Sequence, residues 1–205
     1  MRKLLIILGV VIVFGTATLL LRNSNYSGVS DRRDFEHDKV DDIFSAERVG
    51  PLKITMFFDF GNPDCLDAFA VTKKLEDKFG DKILVDRRHF PLETRYRPIH
   101  EAAECARNQG KFDGFLTNYF ENQFGFYDDD TIREVALMTE LNMNEFRMCL
   151  ESDKAARNRV SQDKAMGKRK YNVTETPFFV FDRSVKISDL LPEEVLLTLV
   201  EKMLD

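Results

Sequence analysis

The chain has no tryptophan, only three cysteines and only three histidines among its 205 residues. Three cysteines exclude a disulfide scaffold. They allow at most one internal bond and leave at least one thiol over. His37, His89 and His100 have no ligand-like spacing to the cysteines, so neither a zinc site nor a cofactor is expected. There is no internal repeat and no low-complexity tract beyond one N-terminal apolar run. A basic excess is also missing. Lys and Arg number 30 against 35 Asp and Glu, for a net charge of −5, which argues against nucleic acid as a partner. What the chain does have is 43% hydrophobic residues, including 18 Phe, enough for one domain with a sizeable core.

Arg2 and Lys3 precede an uncharged run of 18 residues, Leu4 to Leu21. As a helix it would span roughly 27 Å, close to the thickness of a bilayer's hydrocarbon core. A cleavable signal has a shorter apolar core followed by a small-residue cleavage site. Gly15-Thr16-Ala17 is a weak site that falls inside the run, so residues 1–21 read as a cytoplasmic tip and an uncleaved transmembrane signal anchor, with cleavage as the alternative. Residues 22–48 are polar and charged and read as a tether, with a short helix within Asp38 to Glu47. The expectation is a single-pass protein of the cytoplasmic membrane, its domain on the periplasmic or extracellular side.

Gly50-Pro51 punctuates the start of the folded domain, residues 49–205. Lys53 to Phe60 is an almost continuous apolar run, the pattern of a strand buried on both faces. Asp64 to Lys78 has helical spacing, with Gly80 as its C-cap, and Lys82 to Leu92 is a second strand. This β-α-β order implies a parallel pair. From Pro98 to Tyr171 the pattern is helical, with helices near Ile99–Asn108, Lys111–Gln123, Asp130–Leu141, Met143–Ser152 and Lys154–Tyr171. Gly110 and Gly125 punctuate the first two. Strand character returns at Thr176–Phe181 and Val185–Ile187, and a last amphipathic helix runs from Pro192 to Leu204.

The chemistry centres on the junction of the first strand and first helix, Phe57-Phe58-Asp59-Phe60-Gly61-Asn62-Pro63-Asp64-Cys65. Thioredoxin-fold proteins carry Cys-x-x-Cys at such a junction. Here the second position is Cys65 and the first is Asn62. Several further pieces follow in order: His89-Phe90-Pro91-Leu92, Ala102-Ala103-Glu104-Cys105-Ala106, Gln109-Gly110-Lys111-Phe112, Phe146-x-x-Cys149-Leu150 and Thr176-Pro177-Phe178-Phe179-Val180. Together they resemble the DsbA-like thiol–disulfide oxidoreductases. The resemblance implies a thioredoxin-like α/β fold with an inserted helical subdomain at about 95–171. It also implies a cis peptide before Pro177, beside the active site. Two departures weaken the implied activity. Asn62 stands where the family's attacking cysteine would be, and Met56 stands where an acidic residue often assists proton transfer.

Each site residue also has a plain structural explanation. Asn is a favoured N-cap, Pro is favoured at N1, and an acidic residue suits the first turn, so Asn62-Pro63-Asp64 reads first as a helix start. In a functional role, the Asn62 amide could bond a nearby thiolate or a bound peptide, but it cannot form a mixed disulfide. Cys65, expected at N3, is a candidate thiol. Helix N–H groups lower its pKa, Asp64 and Asp67 oppose this, and the alternative is a small core residue. The residues alone allow three single pairings of cysteines. The resemblance favours a structural Cys105–Cys149 disulfide, against two packed free thiols on facing helices. A cis peptide at Pro177 would leave the Thr176 backbone open to strand addition by an extended peptide; the alternative is an ordinary edge-strand proline. The basic run within Lys154–Lys170 reads as a solvated helix face.

The expected function is a membrane-anchored, extracytoplasmic role in thiol–disulfide and protein-folding metabolism, with at most single-cysteine chemistry at Cys65. Full dithiol oxidase activity is not expected. Extended peptides or protein thiols are the expected substrates. The first alternative is a redox-silent module that binds extended peptides or a partner beside Thr176 and Pro177. The second is an accessory protein with no groove in use.

Overall fold

The computed structural model describes residues 50–122, 128–152, 154–182 and 184–205. The expected membrane segment, the tether with its short helix, Gln123 and Gly125 lie outside these residues. Among the described residues, no helix is long and apolar enough to cross a membrane.

The domain opens with β1 (Leu52–Phe58), α1 (Asp64–Phe79) and β2 (Ile83–His89). β1 and β2 pair in parallel from Leu52↔Ile83 to Phe58↔His89, as the β-α-β pattern requires. Gly80 ends α1 at φ 54, a backbone geometry that glycine accepts without steric cost. Five helices follow: α2 (Arg97–Asn108), α3 (Phe112–Glu121), α4 (Asp129–Met138), α5 (Met143–Ser152) and α6 (Lys154–Met166). The chain closes with β3 (Phe178–Phe181), β4 (Val185–Ser188) and α7 (Glu193–Leu204). The strand order is β2-β1-β3-β4, with β3 antiparallel to both its neighbours.

Alternation along β1 sends side chains to opposite faces of the sheet. Ile54, Met56 and Phe58 join the main core with Cys65, Phe115, Phe179 and Leu196. Phe57 joins a second cluster with Phe90, Tyr171, Phe178 and Val180. Burial on both sides explains the continuous apolar run.

The helix expected over Lys154–Tyr171 does not stay α-helical throughout. It ends at Met166 and widens into a π turn, Gly167–Tyr171, closed by Asn172 in the left-handed region. A Cβ at Gly167 would lie 2.9 Å from the Phe90 ring and 3.1 Å from Phe57, so this close approach to the smaller cluster requires glycine. The basic stretch is not wholly solvated either. Asp163 is buried and pairs with Arg88 and, more loosely, Arg159.

Candidate functional site: the turn between the first strand and helix

β1 ends at Phe58, and the chain reverses through Asp59-Phe60-Gly61-Asn62 before α1. The Asp59 carbonyl accepts from the Asn62 N–H at 3.2 Å, and the Asn62 carbonyl accepts from the Cys65 N–H at 3.0 Å. Asn62 Oδ1 accepts from the Asp64 N–H at 3.0 Å, but the N-cap of the helix is Pro63, one residue later than the sequence suggests, and Asn62 holds the turn just ahead of it. Pro63 already has helical dihedrals, but regular α1 begins at Asp64, which makes Cys65 its second residue.

Asn62 also reaches across the fold. Its Nδ2 donates to the Thr176 carbonyl and lies 3.4 Å from the Thr176 hydroxyl. Thr176 and Pro177 are buried, and the peptide between them is cis. The Thr176 carbonyl is therefore not open, as the sequence reading had it; a side chain 114 residues earlier occupies it. The Asn62 amide thus directs one of its two N–H groups at Thr176 rather than at a thiolate or peptide.

Cys65 is fully buried, and it is the free cysteine of the described residues. Its Sγ accepts from the Asp59 N–H at 3.4 Å. Burial pushes the thiol up to about 12, with bonds from the Asp59 N–H and Thr176 pulling it back only in part. The carboxylates of Asp59 and Asp64 add to the upward push. At neutral pH Cys65 is a protonated core thiol. Met56, at the position where the family often has a proton-transferring acid, is buried at the β1–β3 pairing opposite Phe179. Cys105 and Cys149 are bonded to each other, S–S 2.02 Å, joining α2 to α5.

On the solvent side of the turn lies a cleft of about 390 Å³. Phe60, Tyr96, Tyr119 and Phe120 give it an aromatic wall, and Asn62, Asp64 and Asp67 line it from α1 and its approach. Phe60 stacks on Phe120 at 5.4 Å and meets Tyr119 edge-on at 4.7 Å. Gly61 lies so close to the Tyr96 ring that an added Cβ would come within 2.2 Å of it.

Beneath the turn is a polar chain that sequence reasoning missed. Asp59 is buried, and its carboxylate accepts from the N–H groups of Gly61 (3.1 Å) and Leu92 (2.8 Å). Asp59 Oδ1 is 3.1 Å from His100 Nε2, and His100 Nδ1 is 2.8 Å from His89 Nδ1. His89 Nε2 is 2.7 Å from Glu104 Oε1, which also accepts from Arg107 Nε at 2.8 Å. Although burial opposes ionisation, these partners hold Asp59 below the usual carboxylate range and Glu104 down at about 2. Burial also lowers His100 to about 4. The available signal was a charged or imidazole residue inside an apolar run, at Phe58-Asp59-Phe60 and at His89-Phe90. Among the described residues, no group of three or more His, Cys, Asp or Glu is arranged to hold a metal ion.

Comparison with known proteins matches residues 40–202 to a family model described as Thioredoxin. A thioredoxin-like oxidoreductase from Silicibacter pomeroyi superposes with a TM-score of 0.66 at 22% identity, over 75% of this chain and 86% of that one. Wolbachia pipientis alpha-DsbA1 gives 0.65 at 20% identity, over 77% and 88%. A periplasmic thioredoxin-like protein from Salmonella enterica serovar Typhimurium gives 0.65 at 15% identity, over 82% and 97%. A curated relative, Na(+)/H(+) antiporter NhaA 1 of Mycolicibacterium vanbaalenii, is 36% identical over 76 residues, which are 36% of this chain. The chain spans only 12% of that protein's length, so antiport stays with that protein. The family match covers most of the chain, and the α/β fold with its helical insertion agrees with it: the chain belongs to the thioredoxin family and has the fold of the DsbA-like oxidoreductases.

Proposed function

We propose that this chain is a redox-silent DsbA-like domain that binds an extended peptide segment in the cleft beside Asn62. The carrying observation is the state of the two active-site positions. Cys65 is fully buried with its thiol raised to about 12, and Asn62 is committed to Thr176. Exchange needs an accessible thiolate, and a single sulfur cannot store an intramolecular disulfide. What stays open is the cleft. Its two exposed carboxylates, Asp64 and Asp67, and the half-buried Tyr96 ring suit a lysine or arginine side chain through charge attraction and cation–π contact. The apolar run Leu4–Leu21 supports a membrane-tethered placement outside the cytoplasm, and the periplasmic Salmonella protein shares the fold.

The test uses the full-length chain in detergent micelles. A panel of extended peptides differing in one central residue is titrated against the wild type, Cys65→Ala and Asp64→Asn/Asp67→Asn. Lysine and arginine peptides should bind the first two equally and the third at least several-fold more weakly. A dithiol-oxidase or reductase rate that disappears in Cys65→Ala would overturn the silent reading. Equal binding of lysine, alanine and glutamate peptides would overturn the stated preference.

A further inference from the structure

A basic patch surrounds Tyr171 on the face of the sheet that carries the smaller cluster. Its first part comes from the π turn. Gly167 and Tyr171 are buried at the two ends of that turn, and the residues between them, Lys168, Arg169 and Lys170, are exposed. Its second part comes from another element. Lys186 on β4 pairs with Val180 of β3, and Val180 shares the smaller cluster with Tyr171. Side chains of paired residues lie on one face of a sheet, so Lys186 projects beside Tyr171. The Lys170 ammonium lies 5.2 Å from the centre of the Tyr171 ring, and the Lys186 ammonium 5.9 Å.

These cations differ from their neighbours in having no carboxylate. On the same face of the sheet, Lys53 pairs with Asp86, and Arg88 with Asp86 and Asp163. Lys168, Arg169, Lys170 and Lys186 make no ion pair and no side-chain hydrogen bond among the described residues. Asp182, in the turn between β3 and β4, accepts from the Lys53 N–H instead. Cations at the end of a helix offset its dipole, which accounts for the three on the π turn. It does not account for Lys186, which reaches the same ring from a strand. Four like charges without a counter-charge repel one another, and in a chain of net charge −5 this excess is local. A negative partner relieves it.

We propose that this patch docks on the anionic headgroups of the bilayer that anchors the chain. The inference rests on the membrane-tethered placement proposed above and does not depend on the peptide cleft. Two observations favour a lipid surface over other polyanions. Read as a polar tether, residues 22–48 would let the domain range only roughly 30 Å from the bilayer, so headgroups are always within reach. Three of the four cations are lysines, point charges that suit a diffuse layer of headgroups, where arginine forks would suit one fixed phosphate.

The strength and kind of contact follow. Each lysine or arginine near an anionic surface strengthens adsorption roughly fivefold. The π turn exposes no apolar side chain, so the contact is electrostatic, without insertion, and dissolves in salt. On an acidic bilayer the domain lies down by this one face; above a neutral bilayer only the tether holds it.

The experiment places the full-length chain in nanodiscs of phosphatidylcholine, with or without phosphatidylglycerol, each carrying a gadolinium-chelating lipid. Backbone amides are read by nitrogen-15 NMR, and insertion is read separately by flotation with vesicles of the same two compositions. The chain should float with both. With phosphatidylglycerol the amides of Lys168, Arg169, Lys170 and Lys186 should relax at least severalfold faster than without it, and the excess should vanish at about 0.5 M salt. Lys168→Glu/Lys170→Glu/Lys186→Glu should lose the excess. Lys73→Glu/Lys82→Glu/Lys202→Glu, the same change of charge at exposed lysines elsewhere, should keep it. Equal relaxation in the two nanodiscs would overturn the docking while leaving the anchor intact, and so would equal loss in the two variants. A chain that floats with neither composition would refute the tether reading and the docking with it. One that floats only with phosphatidylglycerol, and fails to in the first variant, would keep the patch and refute the anchor.

Discussion

The two sulfur-bearing regions of this domain have traded roles. The turn at Asn62–Cys65 is where a thioredoxin fold presents a reactive pair, yet it holds one sulfur, buried and protonated. The helical insertion, peripheral to that chemistry, holds the bonded pair, Cys105 on α2 and half-buried Cys149 on α5. The difference lies in the surroundings rather than in the element. Both Cys65 and Cys105 sit on helices and are almost inaccessible. Cys105 has a second cysteine opposite it, whereas the position three before Cys65 is an amide bonded to Thr176. A sulfur's redox role here is set by its neighbour, and that gives a way to reverse it.

Asn62→Cys should have the largest effect. It restores Cys-Pro-Asp-Cys at a helix N-terminus, where unpaired N–H groups stabilise a thiolate. It removes the bonds to the Asp64 N–H and to Thr176, with the first alone costing about 1 kcal/mol. The new thiol should pair with Cys65 in an oxidising buffer, and activity absent from the wild type should appear in a dithiol assay. The rate should stay modest, because Met56 is no proton acceptor and Asp64 disfavours a thiolate. A folded variant whose two sulfurs never pair in any redox buffer would refute this account of the turn.

The Cys105–Cys149 bond should then prove purely structural. It spans 44 residues, which in the chain-entropy model stabilises by about 4 kcal/mol. Non-reducing mass spectrometry should show one bond that excludes Cys65. A reductant should lower the melting temperature of the wild type and leave Cys105→Ala/Cys149→Ala unmoved. An equal shift in both proteins would mean that the reductant acts elsewhere.

Gly61→Ala examines the turn without touching sulfur. The new methyl falls within 2.2 Å of the Tyr96 ring, so Tyr96 must swing away. Overpacking of this kind costs about 1–3 kcal/mol. Peptide binding should weaken while the Cys105–Cys149 bond stays intact; unchanged affinity would separate Tyr96 from the cleft's function.

How far the sequence carries depends on the range of the interactions. The β-α-β unit, the helical insertion and the start of α1 to within a residue were legible because periodicity and capping act over a few residues. The resemblance carried the Cys105–Cys149 pairing, which the residues alone left open. What stayed hidden joins distant positions. Asp59 meets His100 41 residues on, and Asn62 meets Thr176 across 114. No local pattern encodes such partners. Only the presence of ionisable residues inside apolar runs marks them. The need for glycine at position 167 escaped for the same reason, since the Phe90 ring that crowds it lies 77 residues earlier in the chain.

The smallest effect should come from removing the lone sulfur itself. In Cys65→Ala the Asp59 N–H loses its sulfur acceptor, and a small void replaces the thiol in the main core. Both terms are modest. A hydrogen bond to neutral sulfur is weak, and the deleted group is a single heavy atom, so the loss should be about 1–2 kcal/mol. Serine is the sharper control. It keeps the size and supplies a polar atom, but it brings a hydroxyl into a fully buried place. If Cys65 is a packing residue, alanine should be tolerated at least as well as serine, and lysine-peptide affinity should be the same in both. Denaturant melts of the two variants, read beside the peptide titration, give the answer. A serine variant that binds peptide normally beside an alanine variant that does not would show that a polar group at position 65 is needed. It would return that position to the functional site.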